Sequence, residues 1–542
     1  MAHFIDARST LVNDAVDGLV AASGGRLARL DGDPGIRVVL RAAPDSGKVA
    51  VVSGGGSGHE PAHAGFVGPG LLSAAVCGDV FASPSVDAVL AGILAVTGPA
   101  GCLLVIKNYA GDRLNFGLAA ERARALGHKV ETVIVSDDIA LPDAKQPRGV
   151  AGTLFVHKVA GHAAEAGEPL ETVAALARRA AGAAKSLGIA VSTCTIPGSA
   201  RSERLAEGQA ELGLGIHGEP GAERIALPKA SELARMMAER LARSVPGADG
   251  LALLVNNLGS ASALEMQILT RAVLATDLGQ RVRLLLGPAP LMTALDMHGA
   301  SLSVLPLDDA LERALSEPVP VPAWPAAVRV EPPILRPVPA GLAGEAFAPS
   351  HDAVTAARIR VVAEALIRAE GSLNSLDAKV GDGDAGTTFA GAARAVQADL
   401  DRLPQAEPAA LCRALAERIG RAVGGSSGVL GSIFFAATAS ALADGAAWPE
   451  ALGQGVARVQ GYGGAKAGDR TLLDALIPAV EALKNGDLAA AAAAARAGAE
   501  ATAGMERAGA GRSSYLAAGD LAGVQDPGAA GVAAAFAALA GA

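Results

Sequence analysis

The sequence predicts a multidomain protein, an α/β domain of two subdomains followed by an all-α domain, and three features of its 542 residues carry that expectation. Short β-branched runs alternate with helical patterns through the N-terminal part. Such runs nearly vanish in the C-terminal part, where Ala-rich helical patterns follow one another. Between the two, residues 316–350 hold nine prolines, a composition that favours an extended, semi-rigid spacer. The boundaries drawn are 1–325 for the α/β domain, 326–350 for the proline-rich linker and 351–542 for the all-α domain. A chain this long exceeds what one hydrophobic core usually serves.

In the first domain, residues 48–53, 103–106, 130–135, 251–255 and 282–286 read as buried strands. Helical patterns stand between them, from a cap at Ser83 to Val96 and over 170–187. That alternation predicts a substantially parallel sheet. The domain's size predicts two subdomains, dividing near 197–250. After the spacer, helices are expected over 352–367, 411–423, 433–442, 472–484, 488–504 and 531–539, a bundle with its sites on inter-helix loops.

Bulk composition narrows the function. Hydrophobic residues make up 51% and charged ones 19%, a chain that folds. A net charge of −9 argues against an extended nucleic-acid surface, which carries a basic footprint. No apolar run reaches bilayer length, and no basic segment with an apolar run behind it opens the chain. Cys77, Cys102, Cys194 and Cys412 are scattered, without a CxxC pair, as expected of reduced thiols. A cytoplasmic protein with no nucleic-acid or membrane partner is expected.

The densest chemistry lies in Asp377-Ala-Lys-Val-Gly-Asp382-Gly-Asp384-Ala-Gly386-Thr387-Thr388. Carboxylates this close repel unless a hard cation neutralises them, and oxygen-only ligands suit Mg²⁺. Mg²⁺ commonly shares a few carboxylates with substrate phosphates, and the following glycine and threonines offer N–H and hydroxyl groups to a phosphate. Four further polar loops, 424–428, 463–471, 511–515 and 526–528, each read alone as connections; together they suggest the rim of one nucleotide pocket. Arg512 is the candidate for phosphate contact, since guanidinium presents a fork of donors.

Three segments of the first domain gather polar groups. Strand 48–53 runs into Gly54-Gly-Gly-Ser57-Gly58-His59-Glu60-Pro61, which is either a tight turn or a close approach to a small polar ligand. Strand 103–106 ends in Lys107-Asn-Tyr-Ala-Gly-Asp112, where Asp112 either caps a helix or partners His59 in acid–base work. In Leu212-Gly-Leu-Gly-Ile-His217-Gly-Glu219-Pro-Gly, His217 stands among residues without side chains to shield it. It is either hydrogen-bonded in a turn or free to attack a carbonyl. The remaining histidines, His63 and His157 among them, need only surface or core roles.

These segments resemble the single-chain, ATP-dependent dihydroxyacetone (glycerone) kinases. Residues 53–61, 107–112 and 212–221 look like that family's substrate-domain motifs. Residues 373–388, 424–431, 468–474, 511–515 and 526–528 look like its nucleotide-domain motifs, in the family's order. The resemblance implies a two-part α/β substrate domain, an up-and-down helical barrel, and a homodimer that sets one chain's nucleotide domain over the other's substrate domain. It implies transfer of the γ-phosphate of ATP to dihydroxyacetone or a close short-chain ketose or aldose. His217 would bind the substrate carbonyl as a hemiaminal. Gly56, Ser57, Gly58, His59, Lys107 and Asp112 would surround its hydroxyls, His59 and Asp112 moving protons. Asp377, Asp382 and Asp384 would hold Mg²⁺. Ala385, Gly386, Thr387, Thr388, Ser426, Ser427, Gly463, Leu472, Arg512, Asp526, Pro527 and Gly528 would line the ATP site. Ala385 stands where the family often has His or Cys, and Leu472 where Met is common. The alternatives are cleavage of FAD to cyclic FMN in the same pocket, erythrulose phosphorylation, and a ketose-sensing regulator, against which the three retained aspartates weigh.

Overall fold

Six strands of the N-terminal part make one sheet: β1 (Leu27–Arg29), β2 (Val38–Arg41), β3 (Ala50–Ser57), β4 (Ala74–Val80), β5 (Cys102–Lys107) and β6 (Val130–Val135). Their order is β1-β2-β4-β3-β5-β6, parallel from β4 to β6 and antiparallel at β1 and β2. Every residue of β5 is buried, as a strand covered on both faces requires. Helices α1 (Leu11–Ala21), α2 (Val86–Val96), α3 (Ala110–Ala125), α4 (Thr153–Glu165) and α5 (Leu170–Ala183) accompany it. Alternate strand residues divide between two faces: Val52 and Leu104 pack with α2 and α3, Val51 and Leu103 with α4 and α5.

The computed structural model describes residues 3–142, 144–199, 204–339 and 346–541, without the side chains of 425–427 and 512. These fall into two units, Met1–Ile334 and Leu335–Ala542. The first unit holds a second sheet of β7 (Lys185–Ala190), β8 (Gln209–Leu212), β9 (Glu223–Ala226), β10 (Leu251–Asn257), β11 (Val282–Ala289), β12 (Gly299–Pro306) and β13 (Val328–Arg329), in the order β13-β11-β10-β12-β7-β8-β9. Helices α6 (Ala230–Ser244) and α7 (Ala263–Leu274) cover one face, and α8 (Asp309–Ser316) follows β12. α4 is buried along nearly its whole length, sharing one apolar cluster with residues of both sheets.

Four expectations are corrected here. The sheets part between β6 and β7, where α4 and α5 lie, and not near 197–250. The helix expected to run to Leu187 ends at Ala183, because residues 185–190 pair as β7 with β12. The second sheet is mostly antiparallel, with β10 and β11 its parallel pair. The cap of α2 is Ser85, whose Oγ accepts the Ala88 N–H at 3.2 Å, and not Ser83.

The second unit is helical: α9 (Ala353–Arg368), α10 (Glu370–Val380), α11 (Ala385–Ala398), α12 (Pro408–Ala422), α13 (Gly425–Ala443), α14 (Trp448–Gly463), α15 (Leu473–Leu483), α16 (Leu488–Ala501), α17 (Ala518–Leu521) and α18 (Pro527–Ala540). From α11 to α16 each helix packs on the next; α16 packs on α18, α18 on α9 and α9 on α11, which closes a barrel. Short apolar layers fill it, such as Val456, Val459, Leu473, Leu476 and Val480. α10, α11 and α14 were not expected, since Gly, Asp and Thr interrupt their apolar period. Among the described residues no helix is long and apolar enough to cross a membrane.

Candidate active site

In the first unit, the carboxyl ends of the paired strands β3 and β5 lie side by side, where ligands of α/β sheets gather. The glycine run belongs to β3 itself and is buried. Gly55 has φ +149°, and a Cβ there would stand 3.2 Å from Lys107 Nζ, so the missing side chain makes room for the ammonium at the end of β5. Lys107 is 1% exposed, and its Nζ has no hydrogen-bond partner among the described residues. Burial lowers its pKa, against the opposing pull of Asp112, Glu219, Glu60 and Asp137.

Asp112 sits in the first turn of α3 behind the N-cap residue Tyr109, so it is not the cap. Its buried carboxylate accepts the Ser83 hydroxyl, the task that Ser83 has in place of capping α2. Gly56 packs against the Phe81 backbone, Ser57 Oγ donates to the Gly78 carbonyl at 2.8 Å, and Gly58 N–H donates to Glu60 Oε2 at 2.9 Å. These residues shape the wall, with the Ser57 hydroxyl and the Gly58 N–H already bonded.

The His59 ring is buried, with Nδ1 2.7 Å from the Thr293 carbonyl oxygen. A carbonyl only accepts, so Nδ1 carries the proton and Nε2, without a partner among the described residues, keeps its lone pair. Burial, then Lys107 and His217, hold its pKa well below the usual range. The ring is neutral.

His217 packs edge-on against three rings, with centroids 4.9 Å from His59, 4.6 Å from Tyr109 and 5.3 Å from Phe81. It is hydrogen-bonded in its turn, with one nitrogen engaged. Glu219 Oε1 lies 2.9 Å from His217 Nδ1, and Glu219 Oε2 accepts the His217 backbone N–H at 2.9 Å. Burial would raise the Glu219 carboxyl, but its hydrogen bonds with His217 and the closeness of that ring outweigh it and bring it to about 2. Arg148 braces this loop, donating to the Gly213 carbonyl at 2.7 Å and to Asp138 at 2.7 Å. Phe81 and Leu295, at φ +56° and +55°, flank the site in a conformation that bulky side chains avoid, a strain that clusters at functional sites. A cavity of about 820 Å³ opens beside them, lined by Ser57, Gly58, Glu60 and Leu295 and, for the most part, by residues 3–15, without His217, His59 or Lys107 in its wall.

Sequence reasoning did not assign Glu219, Arg148, Ser83 or Phe81 to this site. Glu219 was within reach of it, two residues from His217; the others come from distant segments. His63 and His157 form a buried pair, Nδ1 to Nε2 at 2.9 Å.

In the second unit, Asp377 lies in the last turn of α10, Asp382 and Asp384 in the turn that follows, and Ala385 to Thr388 open α11. The glycine-rich turn thus enters a helix N-terminus, the dipole end that favours anions. One oxygen from each aspartate lies within 4.8 Å of the others. Asp377 Oδ2 also accepts Asp384 N–H at 2.9 Å and Ala385 N–H at 3.1 Å, which ties the turn to α10. A cluster of carboxylate oxygens alone fits a hard dication such as Mg²⁺. Asn374 holds Thr387 twice, accepting its N–H and donating to its hydroxyl, each at 3.0 Å; it too was missed.

One neighbouring loop reaches this turn. Ser513 Oγ donates to the Val380 carbonyl at 3.3 Å, which brings 511–515 against the end of α10. Asp526 caps α18 through the Ala529 N–H at 2.7 Å, Pro527 opens that helix, and Gly528 lies against Leu472. Burial raises the Asp526 carboxyl to about 6. Gly463 ends α14 beside Leu430. The side chains of Ser426, Ser427 and Arg512 lie outside the described residues.

A Dak1 domain matches residues 17–323 and a DAK2 domain residues 379–541. The chain is 50% identical to the dihydroxyacetone kinase of Citrobacter freundii over 548 residues, covering 99% of this chain and 98% of that one. The crystal structure of the C. freundii dihydroxyacetone kinase in complex with AMP-PNP and Mg²⁺ matches with a TM-score of 0.73 at 48% identity, covering 100% of this chain and 99% of that one. A triokinase/FMN cyclase of Homo sapiens is 42% identical over 561 residues, covering 96% of each.

Proposed function

We propose that this chain, which belongs to the dihydroxyacetone kinase family, transfers the γ-phosphate of ATP to dihydroxyacetone or a close short-chain ketose or aldose. Residues 1–325 take the sugar and 351–542 take ATP, joined by the linker 326–350. The observation that carries this is the buried His59 ring 4.9 Å from the His217 ring, beside a Lys107 ammonium without a hydrogen-bond partner among the described residues. An unpaired ammonium and a bare imidazole nitrogen beside a second imidazole suit a small, oxygen-rich carbonyl compound.

His217 adds through Nε2 to the carbonyl carbon, which immobilises the ketose and selects against glycerol. Lys107, within the wall that Gly56, Ser57 and Gly58 shape, stabilises the oxygens of the captured sugar. His59 takes the proton of the attacking hydroxyl on Nε2, and Asp112 orients that hydroxyl. Asp377, Asp382 and Asp384 hold Mg²⁺, which when bound neutralises charge on the transferring phosphates. The opening turn of α11, Ala385 to Thr388, sets the positive end of the helix dipole at the phosphates. Ser426, Ser427, Gly463, Leu472, Arg512, Asp526, Pro527 and Gly528 line the rest of the nucleotide site. The enzyme works as a homodimer. It belongs in the cytoplasm, a placement supported by four free cysteines, of which burial pushes Cys77, Cys102 and Cys412 up to about 12.

A coupled ADP-release assay over dihydroxyacetone, glyceraldehyde, erythrulose and glycerol tests this. Turnover of the carbonyl sugars without turnover of glycerol is expected; equal turnover of glycerol refutes the carbonyl trap. The likeness to the human triokinase/FMN cyclase favours a second activity of the same pocket, FAD cleavage to cyclic FMN. Incubation with FAD and Mn²⁺ should release AMP, and intact FAD would dismiss it.

A further inference from the structure

His217 has two ring nitrogens, and only one bearing a lone pair can add to a carbonyl. The carboxylate of Glu219 grips this residue at two points, backbone N–H and Nδ1, each at 2.9 Å. A carboxylate accepts and does not donate, so the proton resides on Nδ1 and the lone pair on Nε2. The grip is built into the loop. The Gly215 N–H donates to the Glu219 carbonyl at 3.0 Å, and a Cβ at Gly215 would stand 2.0 Å from Glu219 Oε2, so only glycine admits the carboxylate. Arg148 holds the same loop through Gly213.

We propose that Glu219 is the positioning residue that makes His217 a nucleophile, fixing the tautomer before capture and neutralising the ring's positive charge after it. This rests on the reading that His217 captures the ketose. In the step, the Nε2 lone pair forms the C–N bond and the C=O π pair moves to oxygen. That oxygen takes a proton from solvent, while Nδ1 keeps its own. The adduct is an imidazolium hemiaminal, its charge lying against the Glu219 carboxylate. Below the pKa of the adduct imidazolium capture therefore takes up one proton, so affinity falls as pH rises towards that pKa and levels off above it. An adjacent carboxylate raises that pKa.

The other titratable groups around the ring are His59 and Glu60 after β3, Lys107, Tyr109 and Asp112 at the end of β5, Asp137, Asp138 and Arg148 after β6, and Cys194 after β7. Glu219→Gln leaves all of these in place. The ratio of wild-type to variant profiles cancels what both proteins share.

The test follows dihydroxyacetone labelled with ¹³C at the carbonyl by NMR, with the full-length protein and no nucleotide. Wild type should convert the ketone resonance to one of a saturated carbon. Glu219→Gln should capture about 100-fold more weakly near neutral pH, with the loss shrinking towards alkaline pH, where the adduct imidazolium gives up its proton and the carboxylate has no charge left to neutralise. Unchanged capture overturns the proposal, as does a loss of the same size at every pH, which would make Glu219 a loop support only. A wild type that never yields the saturated-carbon signal removes the capture itself, so the two failures are told apart. The ¹⁵N resonances of His217 in unliganded wild type give a check independent of the variant: protonated Nδ1 and bare Nε2 agree, and the reverse tautomer refutes.

Discussion

Replacing Lys107 with methionine separates stability from function at the proposed sugar site. The lysine is 1% exposed and its ammonium has no hydrogen-bond partner among the described residues. Burial outweighs the attraction of Asp112, Glu219, Glu60 and Asp137 and lowers its pKa, so the fold disfavours this charge on balance. A buried, unsatisfied donor costs about 1–3 kcal/mol. Methionine matches the length of the stem and brings no polar atom, so Lys107→Met should stabilise the unit by about that much. That is on the order of 2–4 °C in Tm per kcal/mol. The sign of the pH dependence follows. A base with a lowered folded pKa leaves the unfolded chain holding more protons, so wild-type stability rises with pH from that folded pKa towards about 10.5, a rise the variant lacks. Activity should move the other way, with ketose kcat/KM falling roughly 100- to 1,000-fold, as when an oxyanion donor is removed. Thermal unfolding of the sugar-free protein across alkaline pH, with ADP release, measures both. A less stable variant would make Lys107 structural, and a variant with undiminished kcat/KM would remove it from the site.

Asp382→Ala should abolish turnover with ATP and end the stabilisation of the protein by Mg²⁺, seen as a Tm that no longer rises with added metal; retained turnover would undo the metal assignment. Asn374→Ala frees Thr387 at the start of α11, so KM for ATP should rise about tenfold, roughly 1.4 kcal/mol, with KM for the ketose unmoved. A change in the ketose constant instead would refute that placement. Asp526 has a folded pKa raised by burial to about 6. Its contribution to stability is complete below about pH 4 and lost as pH rises through 6. Asp526→Asn keeps a capping side chain and should flatten that fall, leaving the variant about 2–3 kcal/mol more stable at neutral pH. An unchanged pH slope in thermal unfolding would count against it.

What was legible in the sequence followed from local chemistry. An apolar run ending in Lys107 and Asp112 reads as a strand delivering polar groups to a sheet's carboxyl edge, and that is where β5 puts them. Three aspartates within eight residues need no tertiary information to be read as a cation site. Long-range partners were not legible. Ser83 was read as a helix cap because a serine before an apolar helical run usually is one, yet its hydroxyl goes to Asp112 across 29 residues. Arg148 reaches Gly213 across 65 residues, a contact that no periodicity signals. β7 was lost in a helical pattern because Ala-rich sequence precedes it without a break, and its strand character comes from pairing with β12. In α11 the Gly-Thr-Thr opening that marks the candidate phosphate site also hid the helix that presents it.

The most direct measurement is a crystal structure of the full-length protein soaked with dihydroxyacetone. A continuous covalent bond between His217 Nε2 and the ketose C2, with Glu219 still on Nδ1, is the predicted result. A ketose lying unbonded beside the imidazole, or bound away from the ends of β3 and β5, would contradict it.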